Sequence, residues 1–337
     1  MTYLVTGVAG FIGFHVASQL CAAGHQVVGL DNLNDYYEVS LKEARLAQLA
    51  SFPHFHFERL DLADREAMAT LFARHRFERV IHLGAQAGVR YSIDNPFAYA
   101  DSNLTGMLTV LEGCRHHGIQ HLIYASSSSV YGMGDQMPYS TAQQVDHPVS
   151  LYAATKKSGE LMAHAYSALY GLPTTGLRFF TVYGPWGRPD MAIIKFTRAI
   201  LAGEPIDVYN HGDLSRDFTY IDDIVAGILA VADQPPRPNS DWHASEQSAA
   251  ESAAPYRILN IGNDQPVRLL DFIEALEKAI GKPAIKRMLP MQAGDMHATW
   301  ADSEPLHNLT GLRPATPLKQ GVAEFVRWYL DYYQPAR

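Results

Sequence analysis

A tyrosine and a lysine four residues apart form the clearest acid–base pair in the sequence. Tyr152 and Lys156 fall within a predicted helix over 151–169, which places their side chains on one face. A cation near a phenol favours the phenolate and lowers a tyrosine pKa from ~10 toward neutral pH. Such a phenol accepts the proton of an alcohol while the alcohol carbon loses hydride. Alone, however, Tyr-x-x-x-Lys usually means a surface tyrosine beside a solvated lysine.

A run of four serines precedes this pair and strengthens the chemical interpretation. Ser126 to Ser129 follow the apolar strand pattern over 121–125. The carboxyl end of a parallel strand is where α/β folds bind ligands, so these hydroxyls suit the orientation of a substrate hydroxyl. The alternative is a polar turn, which explains four serines beside a fully apolar strand less well.

Three glycines spaced by two residues predict a dinucleotide site near the amino terminus. Gly7, Gly10 and Gly13 lie between a predicted strand and a predicted helix, where glycine permits a tight turn and close approach of a pyrophosphate. The amino end of the helix offers free N–H groups to that anion. Asp31 ends the second predicted strand, so its carboxylate suits a ribose 2′-OH and repels a 2′-phosphate. This favours NAD over NADP; an ordinary turn with a solvated Asp31 is the alternative.

Polar groups also follow the third and fourth predicted strands. Asp61 and Leu62 end the third strand and are expected to reach the adenine. The segment from Leu83 through Ala85 to Gln86 ends the fourth strand and is expected to line the pyrophosphate and ribose. Asn103, taken alone, is simply a polar helix residue.

The elements that position these residues alternate in type through the first half of the chain. Strand patterns occur at 3–6, 26–30, 56–60, 79–84, 121–125 and 174–179, with helical patterns at 11–23, 64–75, 96–117 and 151–169. Strands separated by crossover helices predict a doubly wound parallel sheet of the α/β class with both faces covered.

The second half predicts a smaller mixed α/β region. Helices are expected at 191–202, 222–233, 269–280 and 317–333, the last with Thr316 as N-cap and Pro317 at its first position. A strand is expected at 257–261. Residues 234–255, rich in Pro, Ser and Ala, predict a flexible surface insertion rather than a domain boundary.

Composition excludes several classes of protein. With 47% apolar and 18% charged residues among 337, the chain is neither disordered nor collagen-like. A net charge of −8 argues against binding to nucleic acid or to anionic membranes. Cys21 and Cys114 form no disulfide framework and no thiolate metal site, so no metal is expected. No apolar run approaches the ~20 residues of a membrane span, and no basic leader begins the chain, so a cytoplasmic protein is expected.

Together these motifs resemble the extended short-chain dehydrogenase/reductase family, which modifies nucleotide sugars on a Rossmann fold. The resemblance covers nearly the whole chain. Within the family the sequence is most similar to the UDP-glucuronate 4-epimerase branch. The segments that carry it are the glycine loop, Tyr152-x-x-x-Lys156, and residues 31–37, 82–92, 124–132, 178–191, 216–223, 294–295 and 301–302.

The resemblance implies roles for the reacting groups. Tyr152 becomes the base, Lys156 its electrostatic partner on the nicotinamide ribose, and Ser127 the hydroxyl that orients the C4 oxygen, with Ser128 and Ser129 facing the sugar. The implied reaction removes the C4 proton and hydride, gives a 4-keto sugar, turns the ring and returns hydride to the opposite face. The NAD contacts implied are Gly7, Gly10, Phe11, Ile12, Gly13, Asp31, Asn32, Asn34, Asp61, Leu62, Leu83, Ala85, Gln86, Asn103, Tyr152, Lys156 and Phe180.

Substrate contacts are implied in the same way. Thr181 and Arg188 would hold the sugar carboxylate, Arg216 would clamp the diphosphate, and Tyr209 would stack on uracil. Asp295 would bind near the uridine ribose, Arg90 also belongs to the substrate set, and Gln292 stands where many relatives carry a second diphosphate-binding arginine. Without the resemblance, Arg188 and Arg216 are interpreted as surface ion-pair residues and Tyr209 as a core aromatic.

The resemblance also implies the domain organisation and the partners. Residues 1–180 form the NAD-binding domain, with returns near 215–232 and 257–262, and residues 181–337 bind mainly the UDP-sugar. Relatives pair the helices at 96–117 and 151–169 across a two-fold axis, so a homodimer is expected, although these apolar faces could equally be internal.

Other functions remain as alternatives. A UDP-glucose 4-epimerase is the nearest, and a UDP-uronate decarboxylase follows. A 4,6-dehydratase is disfavoured because Ser128 and Ser129 stand where an Asp-Glu pair is expected. The alternative from another class is an NAD-bound regulatory protein, against which the intact Tyr152, Lys156 and serine set argues.

Overall fold

A seven-stranded parallel sheet forms the centre of the molecule. In the computed structural model, which describes residues 1–243, 248–291 and 296–334, the strand order is β10-β6-β5-β4-β1-β2-β3. The first six strands in chain order thus stand as 3-2-1-4-5-6, the doubly wound arrangement, which confirms the predicted fold class. The strands are β1 (Thr2–Thr6), β2 (Gln26–Asp31), β3 (Phe55–Arg59), β4 (Arg79–His82), β5 (His121–Ser127), β6 (Thr174–Phe179) and β10 (Tyr256–Ile261).

Helices cover both faces of this sheet and continue into the second half of the chain. They are α1 (Phe11–Ala22), α2 (Val39–Leu49), α3 (Arg65–Arg74), α4 (Tyr91–Asp94), α5 (Pro96–Tyr99), α6 (Gly106–His116), α7 (Leu151–Tyr170), α8 (Ala192–Ala202), α9 (Ile221–Ala232), α10 (Leu269–Ile280), α11 (Glu304–Thr310) and α12 (Leu318–Tyr333). One apolar cluster contains buried side chains of α1, of β1 and other strands of the sheet, and of α9, α10 and α12. The first and second halves of the chain therefore share a hydrophobic core.

Smaller strands beside the carboxyl end of the sheet complete the second half. Strand β9 (Ser215–Tyr220) pairs with β7 (Thr181–Tyr183), β11 (Pro266–Arg268) and β13 (Ala298–Thr299), and β8 (Pro205–Val208) pairs with β12 (Ile285–Met288). Thr181 lies opposite Phe218 in the β7–β9 register. Because β7 follows β6 after one residue, the carboxyl end of β6 continues directly into this second layer.

The helix that carries the acid–base pair has well-defined ends. The Ser150 hydroxyl accepts the amide N–H of Ala153 at 3.1 Å and so caps α7. At the other end Gly171 adopts a left-handed conformation with φ +65°, which residues with a Cβ rarely adopt. Tyr152 therefore stands in the first turn of a helix whose start is set by a side-chain cap.

Several element predictions are corrected by the structure. The helix expected at 96–117 is α5, a π-helical segment over Ala100–Thr105, and α6. The last helix begins one residue later than expected, with Pro317 rather than Thr316 at the N-cap. The Thr316 amide instead lies outside the helix and donates to Asp223 Oδ2 at 3.1 Å. Helix α2 and strand β9 were not predicted.

The described parts of 234–255 contact the edge strand of the sheet. Ala250 is buried against the core, and its carbonyl accepts the amide N–H of Ile258 at 2.8 Å. Glu251 forms an antiparallel bridge with Arg257. Among the described residues, no helix is long and apolar enough to cross a membrane.

Candidate active site

A cavity of about 390 Å³ opens at the carboxyl end of the sheet. Most of the predicted site residues line it, from the glycine loop on one side to the segment after β6 on the other. Those that line it are Gly7, Gly10, Phe11, Ile12, Gly13, Asp31, Asn32, Asn34, Asp61, Leu62, Leu83, Ala85, Gln86, Ser127, Tyr152, Lys156, Phe180, Thr181 and Arg188.

The geometry of the glycine loop fits a pyrophosphate. Gly7 has φ +71°, and its N–H donates to the Leu30 carbonyl at 2.7 Å. A Cβ on Gly13 would lie 2.1 Å from the Gly7 carbonyl oxygen, so only glycine allows α1 to begin this close to the turn. The first turn of α1 thus leaves its N–H groups facing the cavity, as dinucleotide binding requires.

Asp31 stands where an adenosine ribose would be recognised. Its carboxylate accepts the amide N–H groups of Ala9 at 3.1 Å and Leu33 at 2.9 Å, which ties the loop to the end of β2. Burial raises the pKa of Asp31, while these bonds and the charge of Lys42 act in the opposite direction. Nearby, Asn32 donates to Asp61 Oδ2 at 2.8 Å, so the ends of β2 and β3 form one polar rim.

Helix α2 contributes two buried cations that sequence reasoning missed. Lys42, only 4% exposed, lines the cavity and donates to the Asn34 carbonyl at 2.6 Å. Arg45, fully buried, donates to the carbonyl of Ala9 at 2.7 Å and to that of Trp186 at 2.6 Å. Leu41, Arg45 and Leu49 are spaced for one helix face, which was the available signal. Arg45 thereby joins the cofactor loop to the loop that carries Arg188.

Burial dominates the chemistry of Tyr152. It raises the pKa of the phenol, while a hydrogen bond with Ser127 and the charge of Arg188 oppose the rise. The expected lowering by Lys156 is therefore corrected, because that ammonium donates to the Ala125 carbonyl at 2.9 Å and lies 5.9 Å from the centre of the Tyr152 ring. Burial also lowers the pKa of Lys156 to about 8.

Only one of the three predicted catalytic serines lines the cavity. The Ser127 hydroxyl accepts the amide of Ser129 at 3.2 Å, and the Ser129 hydroxyl lies 3.0 Å from it. Ser128 and Ser129 belong to a 3₁₀ turn over Ser128–Tyr131 that turns away from the strand direction. Neither Ser128 nor Ser129 lines the cavity, and the expectation that both face the sugar stays a prediction. Ser126 donates to buried Glu160 at 2.7 Å, and this carboxylate forms an ion pair with Arg178.

Asn103 does not line the cavity but fixes a segment that does. Its side-chain oxygen accepts the amide N–H of Gln86 at 2.8 Å, and its amide donates to Thr155 Oγ1 at 3.0 Å. Asn103 therefore ties the strand-end loop after β4 to α7. Its side chain is 5% exposed, and the expected direct contact with the cofactor stays a prediction.

Arg188 lines the cavity together with Thr181. Its Nε donates to Asp190 Oδ1 at 3.0 Å and its Nη2 to Oδ2 at 2.8 Å. Burial opposes the charged form, but the Asp190 carboxylate raises the pKa of Arg188 above its usual range. A charged guanidinium therefore stands close enough to influence the Tyr152 phenol.

The remaining predicted substrate residues lie beyond this cavity lining. Arg216 is on β9, two residues from the partner of Thr181, and its charge acts on Tyr139. Tyr209 follows β8, and exposed Arg90 precedes α4. Gln292 and Asp295 lie outside the described residues. The structure therefore brings Tyr152, Thr181 and Arg188 together but does not bring Arg90, Tyr209 or Arg216 into the same cavity.

One group of metal-ligand types lies away from the cavity. His56, Glu58 and His75 place a ligand atom each within 4.8 Å of one another at the outer strand β3 and the end of α3. Glu58 there accepts Arg74 Nη1 at 2.8 Å, so the carboxylate is already paired with a cation.

The chain is similar to known proteins over its whole length. Residues 3–244 match the model of the NAD dependent epimerase/dehydratase family. The chain is 50% identical to a probable UDP-glucuronate 4-epimerase from Rhizobium meliloti (strain 1021), over 100% of this chain and 99% of that protein. It is 48% identical to UDP-glucuronate 4-epimerase 1 of Arabidopsis thaliana, over 99% of this chain and 77% of the plant protein.

A solved structure agrees as well. The fold is similar to that of UDP-glucuronic acid 4-epimerase from Bacillus cereus, determined in complex with UDP-glucuronic acid and NAD. The TM-score is 0.84 and the identity 33%, with 99% of this chain and 100% of that chain covered. With a dinucleotide loop, a Tyr–Lys pair in the cavity wall and relatives aligned from end to end, the chain belongs to the NAD-dependent epimerase/dehydratase family.

Proposed function

We propose that this protein interconverts UDP-glucuronate and UDP-galacturonate by epimerisation at C4. The observation that carries the proposal is that the charged Arg188 shares a cavity with Tyr152 and influences its phenol. A base for the C4 hydroxyl thus lies beside a cation suited to a C6 carboxylate. The end-to-end similarity to UDP-glucuronate 4-epimerases supports the same substrate.

The residues that hold the cofactor are those around the glycine loop and the ends of β2, β3 and β4. Gly7, Gly10 and Gly13 leave room for the pyrophosphate, and Asp31 accepts from the adenosine ribose while repelling a 2′-phosphate. When bound, NAD supplies a hydride acceptor and donor for the sugar carbon. Because the two hydride transfers cancel, NAD is resident and is not consumed.

The chain's own groups then handle the proton. Tyr152 takes the C4 hydroxyl proton, and Ser127, which hydrogen-bonds the phenol, orients the reacting oxygen. Lys156 anchors α7 to the end of β5 through Ala125, so the phenol stays in register with the strand end. After the sugar ring turns, Tyr152 returns the proton, and the configuration at C4 is inverted.

A uronic acid brings a hazard that the site must control. A ketone at C4 lies β to the carboxylate, and this relationship makes loss of CO2 easy. Arg188 and Thr181 hold the carboxylate in an orientation that disfavours cleavage, with a charge-assisted contact from the guanidinium. The diphosphate and uridine of that substrate bind beyond the cavity, with Arg90, Tyr209 and Arg216 among the residues that contact them.

The assembly follows from apolar side chains on α5 and α7. Phe97, Leu161 and Leu169 are exposed by 78%, 59% and 72%. A second copy of the chain covers them in a homodimer, since apolar side chains clustered on neighbouring helices mark an interface. The protein works in the cytoplasm, where Cys21 and Cys114, both free and buried, remain reduced.

The experiment that tests the function compares two substrates. The purified protein is incubated with UDP-glucuronate and, separately, with UDP-glucose, and the products are resolved by NMR. Conversion of UDP-glucuronate to UDP-galacturonate is expected. Exclusive conversion of UDP-glucose would identify a neutral-sugar epimerase. A UDP-pentose as the main product would identify a decarboxylase, and the absence of turnover of any UDP-sugar would identify an NAD-bound regulatory protein.

A further inference from the structure

Asp190 occupies only one edge of the Arg188 guanidinium. Nε and Nη2 donate to its two carboxylate oxygens at 3.0 and 2.8 Å, a side-on bidentate arrangement. A guanidinium carries five N–H donors in a planar fork, so Nη1 and the second hydrogen of Nη2 form another edge. Within the described part of the chain, Nη1 has no hydrogen-bond acceptor. That second edge has the spacing needed for another carboxylate.

The two residues of this ion pair, Arg188 and Asp190, differ in their position relative to the cavity. Arg188 lines it together with Tyr152 and Thr181, whereas Asp190 does not. The Tyr36 hydroxyl, which also belongs to the cavity wall, donates to Asp190 Oδ2 at 3.4 Å. Asp190 is thus held behind Arg188 by a second contact and has no place in touch with the sugar.

Asp190 is ionised at neutral pH. Burial raises its pKa, but the charge of Arg188 and the hydrogen bonds from it outweigh burial and bring the pKa below its usual range. The pair therefore persists through the neutral range as two opposite charges. An arginine held on one edge by a fixed carboxylate loses rotamer freedom before ligand binding, so less entropy is lost when its other edge is used.

We propose that Asp190 is a positioning residue that orients the free edge of Arg188 toward the carboxylate of the uronic acid, an inference that rests on the proposed function. Asp190 acts through Arg188 and touches no reacting atom. It is consequently a determinant of specificity for acidic over neutral sugars. Its effect depends on the presence of Arg188, whereas a residue that merely supports the loop acts on every substrate.

A double-mutant cycle on binding tests this dependence. The NAD-loaded Tyr152→Phe protein, which does not turn over its ligand, serves as the background for Asp190→Ala, Arg188→Ala and the double variant. Calorimetry measures the affinities for UDP-glucuronate and for UDP-glucose. Asp190→Ala is expected to weaken UDP-glucuronate binding roughly 10-fold, the size of one charge-assisted contact. The affinity for UDP-glucose is expected to change less than about twofold. In the Arg188→Ala background, Asp190→Ala is expected to weaken UDP-glucuronate binding by less than about a further twofold.

Two further variants keep the result interpretable. Asp190→Asn retains one acceptor for Arg188 and is expected to restore part of the UDP-glucuronate affinity; it carries the cycle if the alanine variant fails to fold. Glu304→Ala is the matched control, because it removes the carboxylate from an exposed arginine pair, Arg313 Nη2 to Glu304 Oε2 at 2.7 Å. This control is expected to leave both affinities unchanged.

The possible outcomes distinguish a failure of the positioning role of Asp190 from a failure of the proposed function. Equal losses for both sugars after Asp190→Ala, or a full loss in the Arg188→Ala background, would overturn the positioning role. So would unchanged UDP-glucuronate affinity in Asp190→Ala when the background protein binds that sugar well. If the background protein binds UDP-glucose but not UDP-glucuronate, the proposed function itself fails and the inference with it.

Discussion

The burial of a single phenol governs the proton chemistry at the residue scale. Tyr152 has a raised pKa because burial outweighs the Ser127 hydrogen bond and the charge of Arg188. A base with a raised pKa is strong but scarce in its ionised form. The Ser127–Tyr152–Arg188 group in the cavity wall therefore makes proton transfer sensitive to each of its members.

Replacing the phenol hydroxyl alone should remove catalysis and spare the cofactor. Tyr152→Phe is expected to lower kcat about 10²–10⁴-fold, since it removes the general base. NAD should stay bound because the glycine loop and Asp31 hold it elsewhere in the cavity. Steady-state kinetics and the NAD content of the purified variant check both halves. A variant that keeps more than half of the wild-type rate would remove Tyr152 from the mechanism.

Lys156 should make stability depend on pH in the alkaline range. Burial lowers its pKa to about 8, so between pH 8 and the ordinary value near 10.5 the unfolded chain holds a proton that the folded chain lacks. Stability contributed by this group therefore rises with pH in that window and is constant below pH 8. The free energy of unfolding of Lys156→Met should therefore fall progressively relative to that of the wild type from pH 8 to 10, because the variant lacks this contribution.

Urea unfolding of nucleotide-free protein at several pH values measures this difference. The loss of the bond to Ala125 shifts the free energy of unfolding by a constant, so the slope against pH is the readout. A difference between the two proteins that does not vary from pH 7 to 10 would show that Lys156 keeps an ordinary pKa.

At the scale of elements, the amino end of α7 sets the position of the phenol. Ser150 caps the helix two residues before Tyr152. Ser150→Ala should lower the free energy of unfolding by about 1 kcal/mol, the usual contribution of a cap. Ser158→Ala provides a matched control, because its hydroxyl bonds to the Ala154 carbonyl within the same helix and caps nothing. Equal effects of the two substitutions in urea unfolding would contradict the cap's contribution.

Elements with strong local periodicity were predictable from the sequence. Strand β6 over 174–179 and helix α10 over 269–280 have the predicted bounds, because their patterns are continuous and their neighbours impose no change. Helix α2 was missed because two of its buried positions are Lys42 and Arg45, and the carbonyls that accept from Arg45 are distant in sequence. Strands β8 and β12 are short and depend on each other across a long separation, which no local pattern reveals.

The site was predictable where local sequence motifs specify it, and not where it depends on contacts between residues distant in sequence. Motifs locate the glycine loop, Tyr152 and Arg188 at the carboxyl end of the sheet, and the structure brings them into one cavity. The direction of the Tyr152 pKa was wrong because burial depends on the packed surroundings. That Ser128 and Asn103 lie outside the cavity lining was not predictable, because Ser128 belongs to a 3₁₀ turn and Asn103 to a buried hydrogen-bond network.

At the scale of the whole molecule, exposed apolar helices should hold two copies together. Leu161 on α7 is 59% exposed, so Leu161→Glu should cost the monomer little while placing a charge in the interface. Light scattering after gel filtration is expected to show a dimer for wild type and a monomer, or a much weaker dimer, for the variant. Leu312→Glu, at an exposed site outside α5–α7, is the control and should stay dimeric. A wild-type monomer would contradict the assembly.

The whole account depends on one hydrogen leaving and returning to the same carbon in the same cavity. UDP-glucuronate labelled with deuterium at C4 tests this directly, with NMR of the product formed in ordinary water. The account predicts UDP-galacturonate that keeps deuterium at C4, without added NAD, because Tyr152 exchanges only the hydroxyl proton. Product that has lost the deuterium to solvent would show that C4 is inverted by proton abstraction from carbon, and would contradict the mechanism built on this site.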